Sequence, residues 1–167
     1  MVSTVPQAKL YSSRIDLSAD LRAKEVEILN KTLAATLDLK TQTKQAHWNV
    51  KGMNFYQLHL LFDEMATELE EYTDMVAERI TALAGTAMGT ARIAASESIL
   101  PEYDFSAVSG AEHVTALADR YALYAQHLRA GIEATEELGD ADTADLYTEI
   151  SRTIDKRLWF LEAHIVI

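Results

Sequence analysis

Cysteine is absent from the chain, which removes disulfides, thiolate zinc sites and thiol catalysis together. Proline occurs twice and glycine six times beside 49% hydrophobic residues, a balance that suits a helical protein. No stretch approaches a membrane span, and the first fifteen residues lack the continuous apolar core of a signal peptide. The expectation is therefore a cytoplasmic protein with no membrane partner. Bases are scarce: 15 Lys and Arg stand against 26 Asp and Glu, for a formal charge of −11. That balance argues against a chain built mainly to grip phosphate backbones; an acidic surface attracts cations instead. Phosphate loops of the G-x-x-x-x-G-K-[ST] type, G-x-G-x-x-G turns and G-x-S-x-G elbows are all missing, which leaves nucleotide and acyl-transfer chemistry unsupported.

What is present is helical periodicity. At 167 residues the chain suits one domain: a mixed tail over 1–17, with Lys9 and Arg14 as its only bases, and a bundle over 18–167. Ser18 is a plausible N-cap for a first helix with Val26, Leu29, Leu33 and Leu37 as its stripe, running to about Val50. The short link Lys51–Asn54 makes the second helix its antiparallel neighbour. That helix buries Leu58, Phe62, Met65, Leu69, Tyr72, Val76, Ile80 and Leu83 and ends near Gly85. Ser109 and Glu112 form a capping box for a third long helix that ends at Gly139. Asp142 is read as the cap of the fourth. Between the second and third lies a long link with a short helix at about Thr90–Ser96, broken by Leu100-Pro101. The fold class is all-α: a four-helix bundle with one long crossover, as in ferritin-like proteins.

The chemistry collects on one face of the second helix. At about 100° per residue, His59, Asp63, Asp74 and Glu78 share a stripe roughly 150° from the apolar one. Each i,i+4 pair can reach a common ion. Asp63 and Asp74, however, lie about 16 Å apart along the helix, against metal–ligand bonds of about 2.0–2.2 Å. Two copies packed antiparallel about a two-fold axis bring His59 and Asp63 of one chain beside Asp74 and Glu78 of the other. The expectation is an inter-subunit metal site, two per dimer. His47, at the end of the first helix, is either a further ligand or a terminal histidine on last-turn carbonyls. Imidazole with carboxylates suits iron or manganese, with Zn²⁺ a competitor. No histidine has Glu three residues before it, so a ferritin-type centre inside the bundle is not expected. His113, His127 and His164 are read as surface or packing histidines, and Trp159 with Tyr121, Tyr124 and Tyr147 as core or interface aromatics.

Lys44-Gln45-Ala46-His47-Trp48-Asn49, Gly52, Asn54-Phe55, His59, Asp63 and Asp74-Met75-Val76-Ala77-Glu78-Arg79 resemble the signature of the Dps family, the DNA-binding proteins from starved cells or mini-ferritins. Ala118-Asp119-Arg120-Tyr121, Asp142-Thr143-Ala144-Asp145 and Leu158-Trp159-Phe160-Leu161-Glu162 extend the likeness over about Leu21 to His164. The resemblance implies a homododecameric cage that oxidises Fe²⁺ with H₂O₂ or O₂ at two-fold sites, stores ferric mineral and protects DNA from oxidative damage. It implies His47, His59 and Asp63 from one subunit and Asp74 and Glu78 from its mate as ferroxidase ligands. Trp48 beside them would absorb stray oxidising equivalents.

The resemblance also implies acidic three-fold pores near the start of the fourth helix. Asp140, Asp145 and Glu149 are the candidates, against the plain reading of acids at a helix N-terminus. Direct DNA binding, as in a nucleoid-compacting structural protein, is the alternative and is not favoured with so few bases in the tail. Glu70 lies between the two ligand pairs. Near a two-fold axis it needs a neighbouring base, a proton or a cation.

Overall fold

The computed structural model describes residues 8–165. Five helices follow in order: α1 Ala19–Asn49, α2 Phe55–Ala82, α3 Ala91–Glu97, α4 Gly110–Leu138 and α5 Ala141–Glu162. The Ser18 hydroxyl accepts from the Leu21 amide, and Ser109 and Glu112 close their capping box. Gly139 ends α4 in the left-handed region at φ 85°, where a residue without Cβ is cheapest.

Two isolated bridges fix the topology. Leu10 pairs with Gly85 at the end of α2, and Lys51, just after α1, pairs with Ser109 just before α4. The link from 83 to 109 therefore travels the length of the bundle, carrying α3 against α1. It delivers α4 antiparallel to α1, the single crossover expected of a ferritin-like chain. α1 packs chiefly on α2, and α4 on α5.

Every residue of the expected α2 stripe is buried. The first helix differs. Its innermost positions include Thr32, Thr36 and Thr43, all inaccessible, because tyrosines from the other pair of helices reach them. Tyr147 Oη lies 2.6 Å from Thr32 Oγ1, and Tyr124 Oη lies 2.6 Å from Thr36 Oγ1. Each tyrosine thus buries a large ring and satisfies its hydroxyl in the core. Leu37, read from spacing as a core residue, is only half-buried, while Leu39 is fully enclosed.

Tyr147 also explains a glycine in mid-helix. A Cβ on Gly131 would sit 2.5 Å from the Tyr147 ring, and the Thr32 contact holds that ring in place. Helix propensity alone favours Gly131→Ala by about 1 kcal/mol. Overpacking of this kind costs about 1–3 kcal/mol, so urea unfolding should show the variant less stable than the parent.

The cap of α5 is Asp140, two residues earlier than the sequence suggests. Its Oδ1 accepts from the Thr143 amide at 3.2 Å and its Oδ2 from the Thr143 hydroxyl at 2.6 Å. Both oxygens also accept from Arg79 of α2 at 2.8 Å. Asp140 is 4% exposed, and its carboxylate is fully engaged. It is a structural corner-piece, which removes it from the acids read as pore residues. Asp142 is exposed.

Residues 8–17 lie along the bundle end: the Tyr11 amide donates to the Ala84 carbonyl at 2.8 Å, and Arg22 donates to the Tyr11, Leu17 and Leu83 carbonyls.

Candidate metal centre

His47 ends α1 and His59 opens α2, so the tight connection through Gly52 (φ 105°) brings the two rings face to face. Their centroids are 3.8 Å apart, with 19° between planes. Each ring is fixed by the other's backbone: His47 Nδ1 lies 2.7 Å from the His59 carbonyl oxygen, and His59 Nδ1 lies 2.8 Å from that of His47. A carbonyl can only accept, so both Nδ1 atoms carry the proton. Both Nε2 atoms therefore present a lone pair. This is the arrangement in which metal-ligating histidines are commonly held, with the second nitrogen bonded to a carbonyl.

Asp63, one turn beyond His59, completes a half-site, its Oδ1 lying 3.9 Å from His47 Nε2. The same oxygen accepts a 2.6 Å bond from Lys44 of α1. That bond, reinforced by the Lys44 charge, outweighs desolvation and holds the carboxyl below its ordinary range. Asp63 is thus kept ionised and ready for a cation, with an ammonium as stand-in. Two turns on, Lys40 pairs with Glu70, so a neighbouring base answers the charge that sequence left open there. Spacing carried this signal: Lys40, Lys44 and His47 share one face of α1, and Asp63 and Glu70 repeat every seven residues on α2.

Asp74 and Glu78 are exposed on α2, about three turns from Asp63 along a continuous helix. Among the described residues of one chain, no three His, Asp or Glu side chains converge closely enough to hold a metal ion. One chain therefore presents a His47–His59–Asp63 cluster and, apart from it, the Asp74–Glu78 carboxylate pair. Around the half-site the surface is apolar and open: Trp48, 67% exposed, stands with Met53, Phe55, Tyr56 and Leu60. Exposed apolar side chains gathered near one helix–helix connection suit an interaction surface.

The other histidines have structural partners. Buried His113 takes the Tyr103 hydroxyl at 2.6 Å, His127 lies 2.9 Å from Thr32 Oγ1, and exposed His164, just past α5, lies on the Phe160 carbonyl at the end of that helix. Tyr121, Tyr124 and Tyr147 are core residues, whereas Trp159 is exposed. Asp145 and Glu149 are exposed on the first turns of α5. No described helix is long and apolar enough to cross a membrane.

A ferritin-like domain model matches residues 26–166. The DNA protection during starvation protein of Agrobacterium fabrum is 40% identical over 157 residues, 94% of this chain and 97% of that protein. Among solved structures, DpsC from Streptomyces coelicolor superposes with a TM-score of 0.90 at 33% identity, covering 95% of this chain and 93% of the other. A Dps protein from Vibrio cholerae O1, described as a member of a broad superfamily of ferritin-like diiron-carboxylate proteins, superposes with a TM-score of 0.87 at 26% identity, covering 95% and 99%.

Proposed function

This chain belongs to the Dps family of ferritin-like proteins, and from that premise we propose that it is a ferroxidase and iron-storage protein whose oxidation sites form between two copies. The observation that carries the reading is the reciprocal clamp on His47 and His59. It sets both tautomers so that each Nε2 presents a lone pair, that of His47 lying 3.9 Å from the Asp63 carboxylate. A two-fold mate supplies Asp74 and Glu78 there, which neither half of one chain can do alone. Iron is the substrate. Carboxylates favour Fe³⁺ over Fe²⁺ and so favour electron loss, while neutral imidazoles limit net charge and keep an Fe²⁺ site usable. Zn²⁺ is the expected competitor for the same donors.

The reaction balances with peroxide. Two Fe²⁺ each give one electron, the O–O bond breaks, water supplies the remaining oxygen, and four protons leave as ferric oxyhydroxide forms. O₂ is the other oxidant. Trp48, next to His47 in the chain, would take a stray oxidising equivalent. The apolar patch around it is the surface that a homododecamer would cover. In that cage Asp145 and Glu149, repeated about three-fold axes, would draw Fe²⁺ inward. Residues 18–167 form the cage domain and 1–17 its tail, in a cytoplasmic protein that protects DNA by removing iron and peroxide.

The DNA-compacting alternative is less favoured by the acidic balance of the chain. Lys9 and Arg14 are exposed, but the Tyr11–Ala84 bond ties this segment to an acidic body. The test is anaerobic Fe²⁺ mixed with peroxide and followed by ferric absorbance. A fast phase that saturates at a fixed number of iron ions per dimer is expected, and Zn²⁺ should suppress it. Slow, unsaturable oxidation matching buffer alone would remove the ferroxidase reading.

A further inference from the structure

Glu25 is the one acid of α1 that faces the core. It lies on the stripe that continues through Leu29, Thr32, Thr36 and Leu39, all fully buried. Its exposure is 0%, and neither carboxylate oxygen has a hydrogen-bond partner. A buried carboxylate without a partner is strongly disfavoured, and such a group keeps its proton instead.

The charged groups around it cannot help as they stand. From α2, Arg79 is held by both oxygens of Asp140 and donates to Thr143. From the α4–α5 turn, Asp140 adds negative charge, and Tyr147 of α5 contributes a neutral hydroxyl already bound to Thr32. On α1 itself, Arg22 commits Nε and Nη1 to three backbone carbonyls and makes no bond to Glu25. Burial first, then Asp140, push the Glu25 carboxyl up from 4.5 to about 7, against the opposing pull of Arg79.

We propose that Glu25 is a proton-held latch on the α4–α5 corner. With its proton on, it packs as a neutral acid and the Arg79–Asp140–Thr143 cluster stays closed. When the proton leaves, the new carboxylate competes with Asp140 for Arg79, and the first turn of α5 loses its cap. The sign follows from linkage. The folded chain holds this proton more tightly than the unfolded one, so stability falls as pH rises from the ordinary carboxylate range through about 7 and levels off above. The latch asks nothing of iron, so its failure and that of the ferroxidase reading are separate results.

Hydrogen exchange read by mass spectrometry on the full-length assembled protein tests it, each amide normalised to its intrinsic rate. Between about pH 6 and pH 8, protection over residues 140–147 should fall about tenfold or more in the wild type, a factor that one unit of pKa shift supplies. Protection over the middle of α2 should hold. In Glu25→Gln the corner should stay protected across the range, and Glu25→Met serves as a second neutral replacement should the amide impair folding. At about pH 6 the infrared spectrum should show a protonated carboxylic acid that both variants lack. Identical pH courses in wild type and variants, or no such band, would overturn the latch.

Discussion

Fe²⁺ oxidation by His59→Ala/Asp63→Ala should lose its fast phase by on the order of a hundredfold or more, while the particle keeps its size. Losing only an outer-shell partner of a metal ligand already costs about 10–100-fold, and this variant removes two donors. His59 does more than donate. Its carbonyl fixes the proton of His47 and its Nδ1 engages the His47 carbonyl. Alanine keeps that carbonyl but removes the stacked ring, so His47 is held less firmly even where its own bond survives. The fold should tolerate the change, because His59 and Asp63 are partly exposed and lie off the buried stripe of α2. Rapid-mixing absorbance together with size-exclusion light scattering checks both halves. An intact fast phase would take these residues out of the mechanism. A dissociated particle would show that they hold the seam.

Asp140→Ala should be strongly destabilising. It removes an N-cap, worth about 1 kcal/mol, and strands Arg79 in a largely buried site, where breaking a pair costs about 3–5 kcal/mol. The expected loss near pH 6 is roughly 3 kcal/mol after relaxation. The loss should shrink near pH 8. In the variant Arg79, freed from Asp140, pairs with Glu25 and lowers its carboxyl toward the ordinary range, so between the two pH values only the wild type loses stability. Urea unfolding of wild type, Asp140→Ala, Glu25→Gln and the double variant at both pH values isolates the coupling. Equal losses at the two pH values would mean that the two acids do not share Arg79.

Much of this was legible from residues alone, for identifiable reasons. The α2 stripe is a pure helical period with no polar intrusion, and every member is buried. Ser18, the Ser109–Glu112 box and Gly139 act within one turn of themselves, so local chemistry settles them. Failures came where a distant partner decides. Asp140 and Asp142 both suit a helix start, and only Arg79, 61 residues away, selects the first. The core of α1 is masked by threonines whose partners, Tyr124 and Tyr147, arrive from α4 and α5. Glu25 reads as one more solvated acid until those tyrosines place its stripe inside.

The candidate ligands divide along the same line. His59 and Asp63, a turn apart, were visible as a pair, but the mutual clamp on His47 needed the α1–α2 turn in three dimensions. The Lys44–Asp63 bond joins two helices, so spacing gives each partner's face but not the pairing. Helix length separates Asp74 and Glu78 from the histidines within a chain, a separation that periodicity alone could state.

The most direct measurement of the central claim is complementation between subunits. His59→Ala/Asp63→Ala and Asp74→Ala/Glu78→Ala are each expected to be inactive as pure assemblies. Dissociated, mixed in equal amounts and reassembled, half of the randomly formed dimers would be hybrids. Each hybrid would carry one intact site of two, so about a quarter of wild-type fast-phase amplitude should return. Hybrid particles, verified by native mass spectrometry, that recover no fast phase would contradict a site shared between protomers.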